Sequence, residues 1–216
     1  MKIIIHTYPK RLWYVNNFLV PSLQAQGLYD ITIINDRYHI GNLNAFIMSL
    51  KEAPDAWHLQ DDVLICKDFA KRIQGVKKLS CGFYAKDFEE GEIMEGSTDI
   101  KNMWFSFPCL FIPGKLAREF YNWFKSEEKS EDFKRMIQSG KMDDLIFKEF
   151  LIRNHPQMKV NNISPCLVEH IDYLIGGSIC NGHRTQRAVA GEFADPEAVQ
   201  ELESKITAYK VENNLL

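Results

Sequence analysis

Short apolar runs alternate with longer segments of helical periodicity through the first part of the chain. Three of the runs are short, apolar and largely β-branched or aromatic, as buried strands are: residues 2–6, 31–34 and 56–59. Residues 12–26 and 41–50 carry apolar side chains at helical spacing, and Pro21 predicts a kink in the first of these two helices. Strand, helix and strand in succession form a βαβ unit with parallel strands. The pattern therefore predicts an α/β sheet of Rossmann type with helices on both faces.

The rest of the chain mixes strands and helices without this regular alternation. Strands are predicted at residues 79–85, 103–112, 159–160 and 166–168. Helices are predicted at residues 66–74, 115–125, 131–139, 142–154 and 196–212. Residues 86–101 are acidic and predict a loop. Because no repeat and no Pro-, Gly- or Ser-rich linker interrupts the chain, we expect one domain over residues 1–216, with an α+β second half from about residue 101.

Composition and charge narrow the possible partners. The 216 residues include 26 Lys and Arg against 29 Asp and Glu, and the net charge of −3 gives no global attraction to nucleic acids or anionic membranes. The five cysteines are scattered without a Cys-x-x-Cys pair, so we expect reduced thiols. The apolar start is too short for a signal peptide or a membrane span. We therefore expect a cytoplasmic protein without integral membrane association.

Polar side chains follow each of the first three predicted strands. The clusters are His6-Thr7, Asn35-Asp36-Arg37 and Gln60-Asp61-Asp62. Ligands of parallel sheets bind at the carboxyl ends of the strands, where these clusters would meet. Two adjacent carboxylates repel each other, and a divalent cation such as Mn²⁺ or Mg²⁺ would stabilise Asp61 and Asp62. The alternative is an acidic turn that caps the predicted helix at residues 66–74.

Four segments, in this order along the chain, resemble the GT-A fold glycosyltransferases: residues 4–11, 19–27 and 41–45 and the acidic Gln60-Asp61-Asp62. The resemblance implies transfer of a sugar from a nucleotide-diphosphate sugar, with a UDP-sugar favoured, to an acceptor hydroxyl with help from a divalent metal. It leaves the acceptor open between a saccharide and a modified DNA base. A DNA acceptor would need a local basic groove, for which the candidates are Lys71, Arg72, Lys77 and Lys78.

The resemblance also implies roles for residues that follow the first three strands. In the nucleotide-sugar-binding half, about residues 1–100, those beside the donor would be His6, Thr7, Arg11, Asp36, Asn42, Asn44, Gln60 and Asp61. Asp62 would be the last, metal-binding carboxylate of the family's Asp-x-Asp motif, with Asp61 as a second ligand. Gln60 departs from this motif, because an amide can hydrogen-bond a ribose hydroxyl but contributes no charge.

Two elements of the C-terminal part are candidates for the donor site. Many members of the family complete the metal shell with a histidine, and His170 matches that position; a histidine satisfied by its surroundings is the alternative. Arg184 and Arg187 follow a Gly- and Ser-containing segment and would clamp the diphosphate as a closing lid. The alternative for both is that they are ordinary arginines of a solvated loop.

Acceptor-side candidates lie in the second half of the chain. Asp143 and Asp144 open a predicted helix, where capping and the helix dipole alone favour acids. In inverting members of the family a carboxylate at a similar helix start deprotonates the acceptor hydroxyl, so either residue is a candidate general base. A retaining enzyme would not need one. Trp104 begins an aromatic stretch and is a candidate for stacking on the acceptor, with core packing as the alternative.

Two other functions remain open from the sequence. A nucleotidyltransferase on a similar sheet would need a Gly-rich basic loop after the first strand, and residues 6–11 contain no glycine. A catalytically silent nucleotide-sugar-binding module is the second alternative, and Gln60 favours it. Binding without turnover or donor hydrolysis would identify such a module.

Overall fold

The first three strands form the part of the fold that carries the polar clusters. The structure, a computed structural model, describes residues 1–36, 41–52, 54–83, 96–100, 108–138, 143–176, 193 and 195–214. Its strands are β1 (Lys2–Thr7), β2 (Ile31–Asn35), β3 (Ala56–Gln60), β4 (Val63–Ile65), β5 (Ser80–Cys81), β6 (Gly96–Asp99), β7 (Cys109–Ile112), β8 (Lys159–Asn162) and β9 (Val168–His170). Its helices are α1 (Leu12–Tyr14), α2 (Val20–Ala25), α3 (Asn42–Leu50), α4 (Phe69–Arg72), α5 (Gly114–Glu127), α6 (Glu131–Gln138), α7 (Asp143–Asn154), α8 (Asp172–Ile175) and α9 (Glu197–Glu212).

The main sheet has seven strands in the order β2-β1-β3-β7-β5-β8-β6. β1 pairs in parallel with β2 and with β3, so that Thr7 lies opposite Asn35 and His6 lies opposite Gln60. β7 and β6 run antiparallel to the other five strands. The predicted α/β sheet of Rossmann type is confirmed, and its register brings the polar ends of β1, β2 and β3 to one edge.

Both faces of the sheet are covered by helices, because successive side chains of a strand point to opposite faces. Along β7, Cys109 and Phe111 pack into a core with side chains of α1, α2 and α9. Leu110 and Ile112 pack into a second core with side chains of α3, α5, α6 and α7. The strands therefore read as continuous apolar runs, as expected for a sheet that is buried on both sides.

The helix predicted at residues 12–26 is not a regular α-helix. A 3-10 turn (Pro9–Arg11) precedes α1, and a π-helical turn (Val15–Leu19) separates α1 from α2. Pro21, in the first turn of α2, has no backbone N–H to donate to the preceding turn, and the wider π turn accommodates it. The helix ends at Gly27, whose φ of +81° is in the left-handed region that favours glycine.

Two short strands differ from the sequence prediction. β6 lies in the stretch 86–101 that was expected to be a loop, so that expectation is wrong over Gly96–Asp99. This strand has no apolar run, and its backbone pairing with β8 at the edge of the sheet stabilises it. β4 has only three residues and pairs with β9 in a separate two-stranded sheet. Local patterns carry little signal for strands this short.

Other predicted boundaries shift or fall partly outside the described residues. The strand expected at 79–85 is limited to β5 where the structure describes it, and the strand expected at 166–168 is β9, which begins at Val168. The helix expected at 66–74 is the shorter α4. The four cysteines that the structure describes are buried thiols without a disulfide: Cys66, Cys81, Cys109 and Cys166. None of the helices within the described ranges has the length and apolar character needed to cross a lipid bilayer.

Candidate functional site

Asp61 and Asp62 form the two-residue turn between β3 and β4, and both are buried, at 5% and 6% exposure. The Thr7 hydroxyl at the end of β1 donates a hydrogen bond to Asp61 Oδ2 at 2.9 Å. Parallel pairing of β1 with β3 places these strand ends side by side. The two carboxylates are therefore held at the carboxyl edge of the sheet, where Rossmann-like folds bind ligands.

Arg11 supplies the positive charge that faces this carboxylate pair. Its Nη1 donates to Asp61 Oδ1 at 3.0 Å and also to Asp62 Oδ2. Its Nε donates to the Gly176 carbonyl at 3.1 Å, and its guanidinium lies 5.5 Å from the centre of the Tyr8 ring. The side chain is buried, so these interactions are shielded from water. One guanidinium thus compensates two buried carboxylates.

His170, at the end of β9, contacts Asp62 from the other side. Its Nε2 lies 3.1 Å from Asp62 Oδ2, the same oxygen that accepts from Arg11. The β4–β9 register, in which Val63 lies opposite His170, produces this approach, and the Ile171 N–H donates to the Asp62 carbonyl at 2.8 Å. Asp62 Oδ1 is buried and has no hydrogen-bond partner among the described residues. Buried polar atoms are nearly always paired, so this oxygen is available to a ligand.

The charge balance of the pair shifts both carboxyl pKa values. Burial opposes ionisation of Asp62, but His170 and Arg11 outweigh burial and hold the pKa of Asp62 at about 2. Burial and the neighbouring charge of Asp62 raise the pKa of Asp61 to about 7, against the opposing effects of Arg11 and Thr7. Asp62 is therefore the anion of the pair at neutral pH, and an additional cation would stabilise Asp61 in its charged form.

Four further residues predicted for the donor site lie after β2, at the end of β3 and on α3. The Asp36 N–H donates to the Thr7 carbonyl at 2.8 Å, and Asp36 Oδ2 accepts from the Gly41 N–H at 2.9 Å, just before α3. Gln60 is half-buried at the end of β3, and Asn44 is exposed on α3. For Asn42, the structure describes the backbone at the start of α3 and not the side chain. Asp36 therefore links the end of β1 to the start of α3.

His6 lies on the opposite face of β1 from Thr7. Its Nε2 is 3.0 Å from Nδ1 of His58, and the ring of Phe46 contacts both imidazoles edge-on. Burial lowers the pKa of His6 to about 4, and burial together with His6 lowers the pKa of His58. Both histidines are therefore neutral at pH 7, and the predicted nucleotide contact of His6 stays a prediction.

Asp143 and Asp144 form the first turn of α7 and are half-buried. Burial and the neighbouring Asp144 raise the pKa of Asp143 to about 7, and burial also raises the pKa of Asp144. Asp144 Oδ1 accepts the Leu145 N–H at 2.7 Å. One turn later, the Phe147 ring lies 5.9 Å from that of Phe46. Since Phe46 also contacts His6, α7 packs against the side of α3 that faces β1.

Three residues predicted for the site lie outside the part of the chain that the structure describes. They are Trp104, Arg184 and Arg187, and their predicted acceptor and lid roles remain predictions.

In the predicted basic groove, Lys71, Lys77 and Lys78 are exposed. The fourth member, Arg72, donates to the Pro165 carbonyl at 2.7 Å.

The sequence analysis gave no role to two residues at the same edge, although Asn35 belongs to one of its polar clusters. Tyr8 Oη and Asn35 Oδ1 are buried and lack hydrogen-bond partners among the described residues. Tyr8 follows Thr7 directly, and Asn35 lies opposite Thr7 in the sheet. Adjacency to the polar strand ends was a usable signal for both residues, whereas burial of their polar atoms becomes evident only in the folded structure.

The donor set fits a divalent metal in part. Asp62 and His170 offer a carboxylate and an imidazole 3.1 Å apart, a combination that suits Mn²⁺. Both oxygens of Asp61, the other predicted ligand, accept hydrogen bonds from Arg11 and Thr7. Within the described part of the chain, no group of three or more His, Cys, Asp or Glu is arranged to hold a metal ion. Sites completed by substrate phosphates and water need only one or two protein ligands.

Comparisons with known proteins give only distant likenesses. No protein-family model and no curated protein matches the chain. The CTP:phosphocholine cytidylyltransferase LicC of Streptococcus pneumoniae is similar over 80% of this chain and 94% of its own, at 10% identity and a TM-score of 0.45. The apo form of the glycosyltransferase GlyE of Streptococcus pneumoniae is similar over 76% of this chain and 45% of its own, at 10% identity and a TM-score of 0.37. Both TM-scores are below 0.5 and carry no argument about function.

Proposed function

We propose that this chain is a glycosyltransferase that takes a sugar from a nucleotide-diphosphate sugar and passes it to an acceptor hydroxyl. The observation that carries the proposal is Asp62, a buried carboxylate at the ligand-binding edge of the sheet, with one unpartnered oxygen and His170 beside it. A metal-bound diphosphate matches this arrangement. The metal would bind carboxylate and imidazole ligands from the protein, and its remaining positive charge would attract the phosphates.

Within this proposal, Asp62 and His170 would hold Mn²⁺ or Mg²⁺. The metal, when bound, would neutralise the charge that develops on the leaving diphosphate. Thr7 donates to Asp61, and Asp61 in turn accepts from the guanidinium of Arg11. In this proposal the guanidinium would contact the phosphates of the donor. These residues are ordered by the protein before the donor arrives, and preorganised charge of this kind contributes strongly to transfer reactions.

Asp143 is the proposed general base for the acceptor. A base works best when its pKa lies near the working pH, and burial raises the pKa of Asp143 to about 7. Asp144 is the less suitable of the two because it already accepts the Leu145 N–H. The role requires inversion of configuration at the sugar carbon.

The test is thermal unfolding with UDP, GDP, CDP and ADP, each with Mn²⁺ or with a chelator. A ligand at a hundred times its Kd stabilises the folded state by about 2.7 kcal/mol. We expect one nucleotide, UDP first, to raise the midpoint only with metal, and Asp62→Asn to lose this shift. Asp30→Asn, at an exposed carboxylate, is the matched control. No shift with any nucleotide would contradict the proposal.

A nucleotidyltransferase is the second candidate, and the position of Arg11 is compatible with it. A buried guanidinium in the segment after β1 is suited to a triphosphate as well as a diphosphate. Incubation with each nucleoside triphosphate and metal would release pyrophosphate in the presence of a phosphorylated acceptor. Sugar release from a nucleotide-diphosphate sugar would instead identify the glycosyltransferase, and binding without either reaction would identify a silent binding module.

A further inference from the structure

Arg11 binds the carboxylate of Asp62, and a divalent metal at this site would bind the same group. Arg11 Nη1 donates to Asp62 Oδ2, and the Nε2 atom of His170 lies 3.1 Å from that oxygen. A metal ion held between Asp62 and His170 would therefore lie close to the guanidinium. Like charges repel strongly in a buried site of low dielectric, so full occupation by both cations is unfavourable.

We propose that Arg11 competes with a divalent metal for Asp62, so that the guanidinium is an internal counterion that keeps the empty donor site poor in metal. The inference rests on the proposed function in one respect: the donor diphosphate is what gives the guanidinium another partner. The metal then binds together with the donor, and its affinity for the free protein is low.

The other contacts of Arg11 allow such an exchange without removal of the side chain from the site. Asp61 Oδ1 holds Nη1 at 3.0 Å, and the Gly176 carbonyl holds Nε at 3.1 Å. The Tyr8 ring lies against the guanidinium. Only the hydrogen bond to Asp62 has to be given up, and the N–H group that it frees can donate to a phosphate oxygen, an acceptor that guanidinium groups match well.

Asp61 has a different role from Asp62 in this scheme. Both of its oxygens are engaged, by Thr7 and Arg11, whereas Oδ1 of Asp62 is unpartnered among the described residues. Asp61 is therefore a positioning residue that holds Arg11, and Asp62 is the residue for which the two cations compete.

The experiment measures Mn²⁺ binding to the full chain without nucleotide, by calorimetry or by the electron paramagnetic resonance of free Mn²⁺. We expect Arg11→Gln to bind Mn²⁺ at least about tenfold more tightly than the wild type. Lys10→Gln, which removes an exposed neighbouring charge, should match the wild type. The double variant Arg11→Gln with Asp62→Asn should lose the gain.

Arg11→Gln leaves two buried carboxylates without their cation and is expected to unfold more easily. Its thermal midpoint is therefore followed with and without Mn²⁺, and metal should stabilise this variant more than the wild type. Arg11→Lys is the second variant, because an ammonium group keeps the charge but lacks the planar fork that contacts Asp61, Asp62 and Gly176 together. We expect an intermediate Mn²⁺ affinity for it.

Equal or weaker Mn²⁺ binding by both folded variants would overturn the competition. This test is independent of the test of the proposed function, because Mn²⁺ binding is measured without nucleotide. If Arg11→Gln gains metal affinity and no nucleoside diphosphate binds any variant, the competition is supported and the proposed function fails. If UDP binds the wild type with metal and the variants gain nothing, the proposed function is supported and the competition fails.

Discussion

The guanidinium of Arg11 dominates the electrostatics of the candidate site. It is buried and faces Asp61 and Asp62 together, so two potential negative charges share one positive charge. Removing one partner of a buried ion pair typically costs about 3–5 kcal/mol, because the remaining charge is left uncompensated. Burial and the negative charge of Asp62 raise the pKa of Asp61, whereas His170 and Arg11 outweigh burial and lower the pKa of Asp62. A cationic ligand would relieve this imbalance.

If Asp143 is the general base, its raised pKa determines how the reaction rate depends on pH. A general base acts when ionised, and the pKa of Asp143 is raised to about 7. We expect kcat/KM to rise with pH up to about 7 and to level off above it, and Asp143→Asn to lower kcat/KM by about 10²- to 10⁴-fold. Initial rates of sugar transfer at pH 5 to 9 check this.

Asp144→Asn is the matched control, since it changes the adjacent carboxylate. It should keep most of the activity and the rise with pH. The stability of Asp143→Asn gives an independent readout. Because folding raises the pKa of Asp143 from 3.8 to about 7, the protonated carboxyl adds to the free energy of unfolding below pH 3.8, and this contribution is lost as pH rises through about 7. Asp143→Asn should therefore unfold at a higher temperature than the wild type at pH 8. A wild-type rate independent of pH would contradict the base assignment.

The pairing of β4 with β9 brings Asp62 to His170. This two-stranded sheet is short, and it is anchored to the first helical segment through Tyr14, whose buried hydroxyl donates to the Val63 carbonyl at 2.9 Å. Val63 directly follows Asp62, so this hydrogen bond holds the carboxylate turn against α1. The geometry of Asp62 and His170, the proposed metal ligands, thus depends on a contact from α1, which carries neither of them.

Tyr14→Phe removes this hydrogen bond without changing the packing of the ring. We expect the free energy of unfolding to fall by about 1–2 kcal/mol, since a buried carbonyl loses a partner. Urea unfolding followed by fluorescence measures the loss, and Tyr29→Phe, at a residue 74% exposed, is the control with no expected change. An unchanged stability of Tyr14→Phe would show that this anchor is unimportant.

Gly82 connects the two sheets of the molecule. Its N–H donates to the Cys109 carbonyl of β7 at 2.9 Å, and its carbonyl accepts from the Leu167 N–H, just before β9, at 2.7 Å. A Cβ atom at this position would lie 2.7 Å from Cys109 Sγ and 2.9 Å from Leu167 Cδ1. The close approach of the backbones therefore requires glycine.

Gly82→Ala is expected to destabilise the fold by about 1–3 kcal/mol, as overpacking of a tight core does. Cys109→Ala in the same chain removes the Sγ atom of the nearer contact and should recover part of the loss. Thermal and urea unfolding of the single and double variants measure both effects. Full stability of Gly82→Ala would contradict the close packing of β7 against the chain entering β9.

The local pattern of the chain was sufficient for much of the main sheet and for the edge at which its polar strand ends meet. The sequence predicted the apolar runs of β1, β2 and β3, the helix between the first two and the polar residues after each strand. These features could be predicted because strand and helix periods and turn residues are local properties. Asp61 and Asp62 stood out for the same reason, since adjacent carboxylates after a buried strand are an electrostatic anomaly in any fold.

Only the tertiary structure decided which of these groups interact. Arg11 pairs with two carboxylates about fifty residues away, and His170 reaches Asp62 only through the β4–β9 register. The short strands β4 and β6 also exist only because distant strands pair with them. These contacts depend on strand register and on the burial of charges, which are set by packing over the whole molecule, so no local pattern in the sequence encodes them.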